Sequence, residues 1–228
     1  MTSVLITGAS RGIGRATALA CAARGAQLGL LGHASADQTE VVHSCLKAGA
    51  KRVLELPADV AQAEQLERAA QEFLSVLGAP DALIHNAGIA GRTSIEGTTL
   101  KSWHEHLSVN LTAPFVLTRA LLPAMRARKS GRILFVGSIS STLGTANLSA
   151  YCATKWGVLG LMKSLAAELT DSGLMTCAVL PGSVDTRMLE GSGFPARMSP
   201  ETVAETLLHY AFDAPLAHNG ASIEMFGV

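Results

Sequence analysis

Seven short apolar runs alternate with longer segments of helical period, and this alternation restricts the possible folds more than any other feature. The runs are Val4–Thr7, Gln27–Leu31, Arg52–Leu56, Ala82–His85, Arg132–Val136, Thr176–Leu180 and Ser222–Phe226. Several are apolar throughout, as strands buried on both faces are. Helical patterns occupy Gly12–Arg24, Asp37–Ala48, Ala61–Val76, Leu100–Arg128, Ser149–Ser172 and Pro200–Phe212, the last opening on a Ser199 cap followed by Pro200. Strict β/α alternation predicts an α/β fold, with a doubly wound sheet of seven mostly parallel strands and helices on both faces. At 228 residues, with no repeat or linker, one domain spanning 1–228 is expected.

The first strand runs into Thr7-Gly8-Ala9-Ser10-Arg11-Gly12-Ile13-Gly14, which opens the first helix. Glycine allows the tight turn and the approach of a phosphate to the backbone, and the helix N-terminus offers unpaired N–H groups. At a first strand–helix junction this turn reads as a dinucleotide pyrophosphate site. The second strand ends Leu31-Gly32-His33-Ala34-Ser35, with no acid until Asp37. An acid there would take a ribose 2′-hydroxyl, whereas Arg11 suits a 2′-phosphate. NADP(H) is therefore the expected cofactor, with NAD(H) the second choice because Asp37 can point back.

Tyr151 and Lys155 stand four apart, one helical turn on one face. A free tyrosine titrates near ~10. An ammonium at about 4–5 Å, at an effective dielectric of about 20, would lower that by roughly three units. The expectation is a tyrosine acidified by its lysine into a proton donor and acceptor at neutral pH.

Taken together, these residues resemble the short-chain dehydrogenase/reductase family, in the branch with three residues between the first two glycines. The resemblance covers essentially the whole chain: the glycine turn, Asn86-Ala87-Gly88, Ser138 thirteen residues before Tyr151, Lys155, and Pro181-Gly182-Ser183-Val184-Asp185-Thr186 occur in order. It implies a Rossmann fold, and a catalytic set of Asn110, Ser138, Tyr151 and Lys155. Ser138 would hold the substrate oxygen, Tyr151 would exchange a proton with it, Lys155 would also hold the nicotinamide ribose, and Asn110 would interrupt its helix and anchor a water relay. The implied cofactor-binding set is Gly8, Ser10, Arg11, Gly12, Ile13, Gly14, His33, Asp59, Val60, Asn86, Ala87, Gly88, Tyr151, Lys155, Pro181, Gly182, Val184 and Thr186. Asp59 also reads as a helix N-cap, and Asn110 also reads as a solvent-facing amide. His85 stands where the family more often has asparagine. The chain resembles 3-oxoacyl-(acyl-carrier-protein) reductases in general pattern. Lys129 fits one basic position near the entrance of such enzymes, while Ser172-Gly173 occupies another.

The resemblance implies interconversion of a ketone and a secondary alcohol. One rival reading is 3-oxoacyl-(acyl-carrier-protein) reduction; another, of a different class, is a catalytically idle dinucleotide-binding sensor or scaffold. Met188, Leu189, Phe194 and Met198 either line an apolar substrate pocket or tuck their loop onto the core. Arg92, Asn147 and Arg187 are candidate polar substrate contacts. Eighteen basic residues balance eighteen acidic ones, which gives no support for a nucleic-acid or membrane partner. His104-Glu105-His106 reads as a solvated helix face rather than a metal site, because residues two apart diverge. The four cysteines, widely spaced, read as reduced packed thiols. No apolar stretch near ~20 residues is evident, and the apolar run at Val4-Leu5-Ile6 argues against a leader; a cytoplasmic protein is expected. The family usually forms tetramers, so a homo-oligomer (tetramer or dimer) is expected, with Trp103, Phe115, Trp156 and Leu159 as candidate contacts.

Overall fold

The computed structural model describes residues 2–33 and 35–227. Seven strands form one sheet: β1 (Ser3–Thr7), β2 (Gln27–Gly32), β3 (Arg52–Pro57), β4 (Ala82–His85), β5 (Gly131–Val136), β6 (Leu174–Pro181) and β7 (Ala221–Met225). Their order is β3-β2-β1-β4-β5-β6-β7, and every pairing is parallel. The order reverses between β1 and β4, so a crevice opens at their carboxyl ends, where such sheets bind ligands.

The helices are α1 (Gly12–Ala23), α2 (Ala36–Ala48), α3 (Ala63–Leu77), α4 (Leu100–Leu107), α5 (Ala113–Arg128), α6 (Ser149–Glu168) and α7 (Pro200–Leu208). Two apolar cores sandwich the sheet. One packs α1 and α7 against Val4, Ile6, Leu28 and Leu30; the other packs α3, α5 and α6 against Leu5, Leu83, Ile133 and Phe135. Alternate side chains of each strand therefore serve opposite cores. All four cysteines are free and buried. Burial pushes the Cys21 and Cys177 thiols up to about 12 and Cys45 up to about 11, which leaves them unreactive.

Several boundaries depart from the periodicity. The expected helix from Ala61 starts at Ala63, because Asp59 Oδ1 accepts from the Ala61 N–H at 2.9 Å and holds a turn. The cap residue is Gln62, so the N-cap reading of Asp59 is not what forms. The run 100–128 is one helical rod broken by a π turn at Ser108–Thr112. It is long and apolar enough by length and composition to cross a membrane, contrary to the expectation. Its buried face packs Val116, Leu117, Leu121 and Met125 into the core. The last helix likewise passes into a π turn, His209–Asp213.

Candidate active site

Backbone groups assemble one end of the crevice. Gly8 takes a left-handed φ of 67°, and a Cβ there would sit 2.9 Å from Ala87 Cα. Thr7 Oγ1 accepts from the Asn86 and Ala87 N–H groups at 3.0 Å each. Asn86 Nδ2 donates back to the Thr7 and Gly8 carbonyls, again at 3.0 Å. The loops after β1 and β4 are thus clamped together. Gly14 lies beneath this clamp, where a Cβ would fall against Gly8 O and 2.5 Å from Asn86 Nδ2. The first turn of α1 carries no acid to oppose an anion. Arg11 is exposed on the crevice wall, with no ion-pair partner among the described residues. Arg15, four residues on, lies 3.6 Å from Glu40. His33 Nε2 lies 3.8 Å from Asp59 Oδ1, and Asp37 faces the same crevice.

Buried polar side chains assemble the other end. Ser138, just past β5, caps a short 3₁₀ turn by accepting from the Ser140 N–H at 3.1 Å. Tyr151 and Lys155 lie in the first two turns of α6 and are almost wholly buried, as is Ser138. Lys155 Nζ donates to Val136 O at 2.8 Å and stands 5.7 Å from the Tyr151 ring centroid. The spacing argument thus brings the pair together, but not with the expected electrostatic result. Burial raises the Tyr151 phenol, a hydrogen bond with Ser138 lowers it in part, and the nearby Cys152 raises it. Burial also holds Lys155 down at about 8. Desolvation outweighs the ammonium here, because the same apolar wall disfavours both charged forms.

Asn110 lies at the centre of the π turn and is 1% exposed, so it is not solvent-facing. Its Oδ1 accepts from the Ile89 N–H at 2.8 Å, and its Nδ2 donates to Ile89 O at 2.9 Å and Thr154 Oγ1 at 3.0 Å. A side chain that bonds another segment so fully explains why the helix yields there. A Cβ at Gly88 would lie 3.4 Å from Asn110 Oδ1 and 3.7 Å from Lys155 Nζ.

These elements bound one cleft of about 1020 Å³. Ser10, Ile13, Val60, Pro181, Gly182, Val184 and Thr186 line it, along with nearly all the other expected site residues. Gly14 and Asn110 stand behind the wall. Met188, Leu189 and Phe194 line the cleft, while Met198 is buried in the core, so the loop does both things expected of it. Arg92 and Arg187 line it too, and the Arg92 guanidinium lies 5.1 Å from the Phe194 ring centroid. Asn147 is instead a left-handed turn residue whose carbonyl accepts from Thr93 N–H. Among the described residues no group of three His, Cys, Asp or Glu could hold a metal. His104 and Glu105 are exposed, but His106 is buried, against the expected solvated face. Thr154, Ile89 and Val136 were missed from sequence, since a hydroxyl beside a lysine and two backbone carbonyls carry no motif.

The architecture and the cleft define an α/β dinucleotide-type oxidoreductase fold with its ligand site at the switch point. Residues 2–193 match the model of the short chain dehydrogenase family. The chain belongs to the short-chain dehydrogenase/reductase family, and is an oxidoreductase of that family. It is 33% identical to a 3-oxoacyl-[acyl-carrier-protein] reductase of Synechocystis over 94% of this chain and 90% of the relative. It is 36% identical to that of Escherichia coli K12 over 81% and 74%. Levodione reductase superposes with a TM-score of 0.93 at 27% identity, covering 99% of this chain and 96% of that one. A 3-oxoacyl (acyl-carrier-protein) reductase from Agrobacterium tumefaciens C58, solved with NADP bound, gives 0.92 at 26%, covering 99% and 93%.

Proposed function

We propose that the protein interconverts a ketone and a secondary alcohol with NADP(H) as the preferred cofactor and NAD(H) as the lesser one. The observation that carries this reading is the burial of Ser138, Tyr151 and Lys155 on one wall of a cleft whose opposite end is a glycine-built anion cradle. The crowding at Gly8 and Gly14 fits a pyrophosphate approaching bare backbone, so the residues present suit the dinucleotide. When bound, the cofactor supplies or accepts the hydride. Gly12 and the N–H groups of the α1 start hold phosphate, with Ser10 and Ile13 beside them; Asp59, Val60, Asn86, Ala87 and Gly88 flank the adenosine. Pro181, Gly182, Val184 and Thr186 hold the nicotinamide end, and Lys155 its ribose. Arg11 and His33 favour a 2′-phosphate, Arg11 because no acid among the described residues pairs with it; Asp37 on the same wall is why NAD(H) is retained.

Ser138 Oγ orients the substrate oxygen, and Tyr151 Oη gives it a proton in reduction and takes it back in oxidation. A phenol raised by burial is held in its protonated form, the form that donates in reduction. Asn110 fixes the Ile89 backbone through both ends of its amide. The apolar lining from Met188, Leu189 and Phe194 suits an apolar carbonyl compound.

The relatives favour one variant, reduction of a 3-oxoacyl group on acyl carrier protein; Lys129 does not add to it, because it stands just ahead of β5 at the amino edge of the sheet and does not line the cleft. Retention of Ser138, Tyr151 and Lys155 in one buried constellation argues against an idle sensor. A small-molecule substrate, a cytoplasmic location, and a homo-oligomer using exposed Phe115 and Trp156 complete the reading.

Oxidation of NADPH against a panel of simple ketones and acetoacetyl thioesters tests it. Tyr151→Phe is expected to lower turnover on the order of 10³-fold with NADPH affinity within about twofold. Arg11→Ala is expected to weaken NADPH about tenfold and leave NADH unchanged. Retained turnover in the phenylalanine variant overturns the proton assignment.

A further inference from the structure

Arg92, in the loop after β4, is held at its backbone and exposed at its head. Gly91 before it abuts the His106 ring, with a would-be Cβ 3.1 Å from Cε1. That ring is only 4% exposed, and its Nδ1 donates to the Ser102 carbonyl at 2.8 Å, which leaves Nε2 as an acceptor. Thr93 after it donates its N–H to Asn147 O at 2.8 Å and bridges to Leu148. Leu148 caps α6, three residues before Tyr151, so this bridge sets Arg92 at the Tyr151 end of the cleft.

The Arg92 guanidinium lies 5.1 Å from the Phe194 ring centroid, in the facing loop after β6. That loop is closed at its neck by the bridge of Val184 with Met198 and by the Asp185 N–H, which donates to Met198 O at 2.9 Å. A ring face attracts the charge but offers no lone pair, so the guanidinium donors stay available to an oxyanion. Among the described residues no acid pairs with Arg92. Glu96, the one acid in its own loop (residues 86–99), is taken up by its own backbone N–H and by Ser94. Arg187, by contrast, has Asp185 and Glu190 beside it in sequence. With the cleft open, water solvates Arg92. A substrate that fills the cleft removes that water, and a neutral one brings no counter-charge to replace it. Such a site selects against neutral molecules.

We propose that Arg92 is a specificity-determining residue that takes the carboxylate of an oxo-acid substrate. The apolar chain of that substrate runs past Met188, Leu189 and Phe194, and its carbonyl lies at Ser138 and Tyr151. The inference rests on the proposed ketone reduction and narrows its substrate class. One guanidinium matches the single charge and planar fork of one carboxylate. Asp185 and Glu190 on the facing wall oppose a doubly charged phosphate more than a carboxylate.

Reduction by NADPH of straight-chain oxo acids, their methyl esters and matching oxo phosphate esters tests the assignment in wild type, Arg92→Met and Arg92→Lys. Arg92 is exposed, so its substitution leaves the core untouched. The wild type is expected to prefer the best acid over its ester on the order of 10-fold in kcat/KM. In Arg92→Met that preference is expected to vanish, chiefly through KM, and lysine is expected to keep part of it. Phe194→Leu retains an apolar lining without the ring, and is expected to reduce the preference roughly threefold. Equal losses on acids and esters in the methionine variant overturn the role, as does a wild type that prefers esters or phosphates. Titration calorimetry with straight-chain carboxylates, with and without NADP⁺, reads the site without turnover. Binding that weakens on the order of 10-fold in Arg92→Met supports it, and binding that is absent or indifferent to the substitution overturns it. A wild type that binds carboxylates through Arg92 and reduces no ketone counts against the ketone reading and not against the site. One that reduces neutral ketones and ignores the charge at Arg92 does the reverse.

Discussion

At the β1 end of the cleft, shape comes from backbone. The Thr7 hydroxyl and Asn86 amide stitch two loops together, and Gly8 and Gly14 leave space that any side chain would fill. At the β5 end, shape comes from ionisable and hydroxyl side chains taken out of water: Ser138, Tyr151, Lys155 and, behind them, Asn110 and His106. The first end is close to saturated with hydrogen bonds. The second holds a lysine whose charged form burial opposes and a histidine acceptor with no partner among the described residues. Stability and proposed function therefore coincide at the first end and oppose each other at the second.

The largest effect is expected at the backbone end. In Gly14→Ala the new methyl meets a main-chain carbonyl and an amide already bonded twice, and neither can retreat without opening the clamp. A loss of about 3 kcal/mol is expected, a drop in Tm on the order of 10 °C, together with weakened dinucleotide binding in titration. A wild-type Tm would show that the clamp is not rigid and would dissolve the contrast.

The opposite sign is expected at the other end. Lys155 has its pKa lowered from 10.5 to about 8, so below pH 8 its burial cost is fully present, and it fades as pH rises toward 10.5. Each pKa unit is about 1.4 kcal/mol, and losing the bond to Val136 O gives back about 1 kcal/mol. Lys155→Met is therefore expected to be more stable than wild type at pH 7 by about 2–3 kcal/mol, to lose that advantage near pH 10, and to lose turnover. Thermal melts at both pH values check it; a destabilised variant at pH 7 would mean that Lys155 stabilises its own wall.

Strand number, order of elements and the cleft were legible because apolar period and glycine placement are local properties that the fold does not override. What stayed illegible depends on contacts between distant segments. The family resemblance implied a helix interrupted at Asn110, and the helix does break there; the form of the break, a π turn, depends on Ile89, twenty-one residues away. His106 looks polar in sequence, yet its back-bond to Ser102 satisfies one nitrogen and lets the ring turn inward. The Tyr151–Lys155 spacing shows proximity but not desolvation, and desolvation decides the direction of both shifts. The Asp59 turn was hidden because Gln65, not Asp59 alone, sets where α3 starts.

The smallest effect concerns the strand between the two ends. His85 closes β4, stacks on Phe135 at 4.8 Å between ring centroids, and meets Thr118 Oγ1 through Nε2 at 2.9 Å. Burial takes its pKa from 6.5 down to about 3. Between those values the unfolded chain binds the extra proton, so stability rises with pH there. His85's contribution is complete above 6.5 and declines by about 1.4 kcal/mol per pH unit as acid is added, until the folded form protonates too. His85→Asn is expected to cost about 1 kcal/mol at pH 7.5 through the lost stack. On acidification to pH 5 that deficit is expected to close and then reverse, because the variant has no ring to protonate. Melts at half-unit intervals read this directly. A deficit constant with pH would mean that the His85 site admits water, and that the boundary between the two ends is wetter than the packing on Phe135 implies.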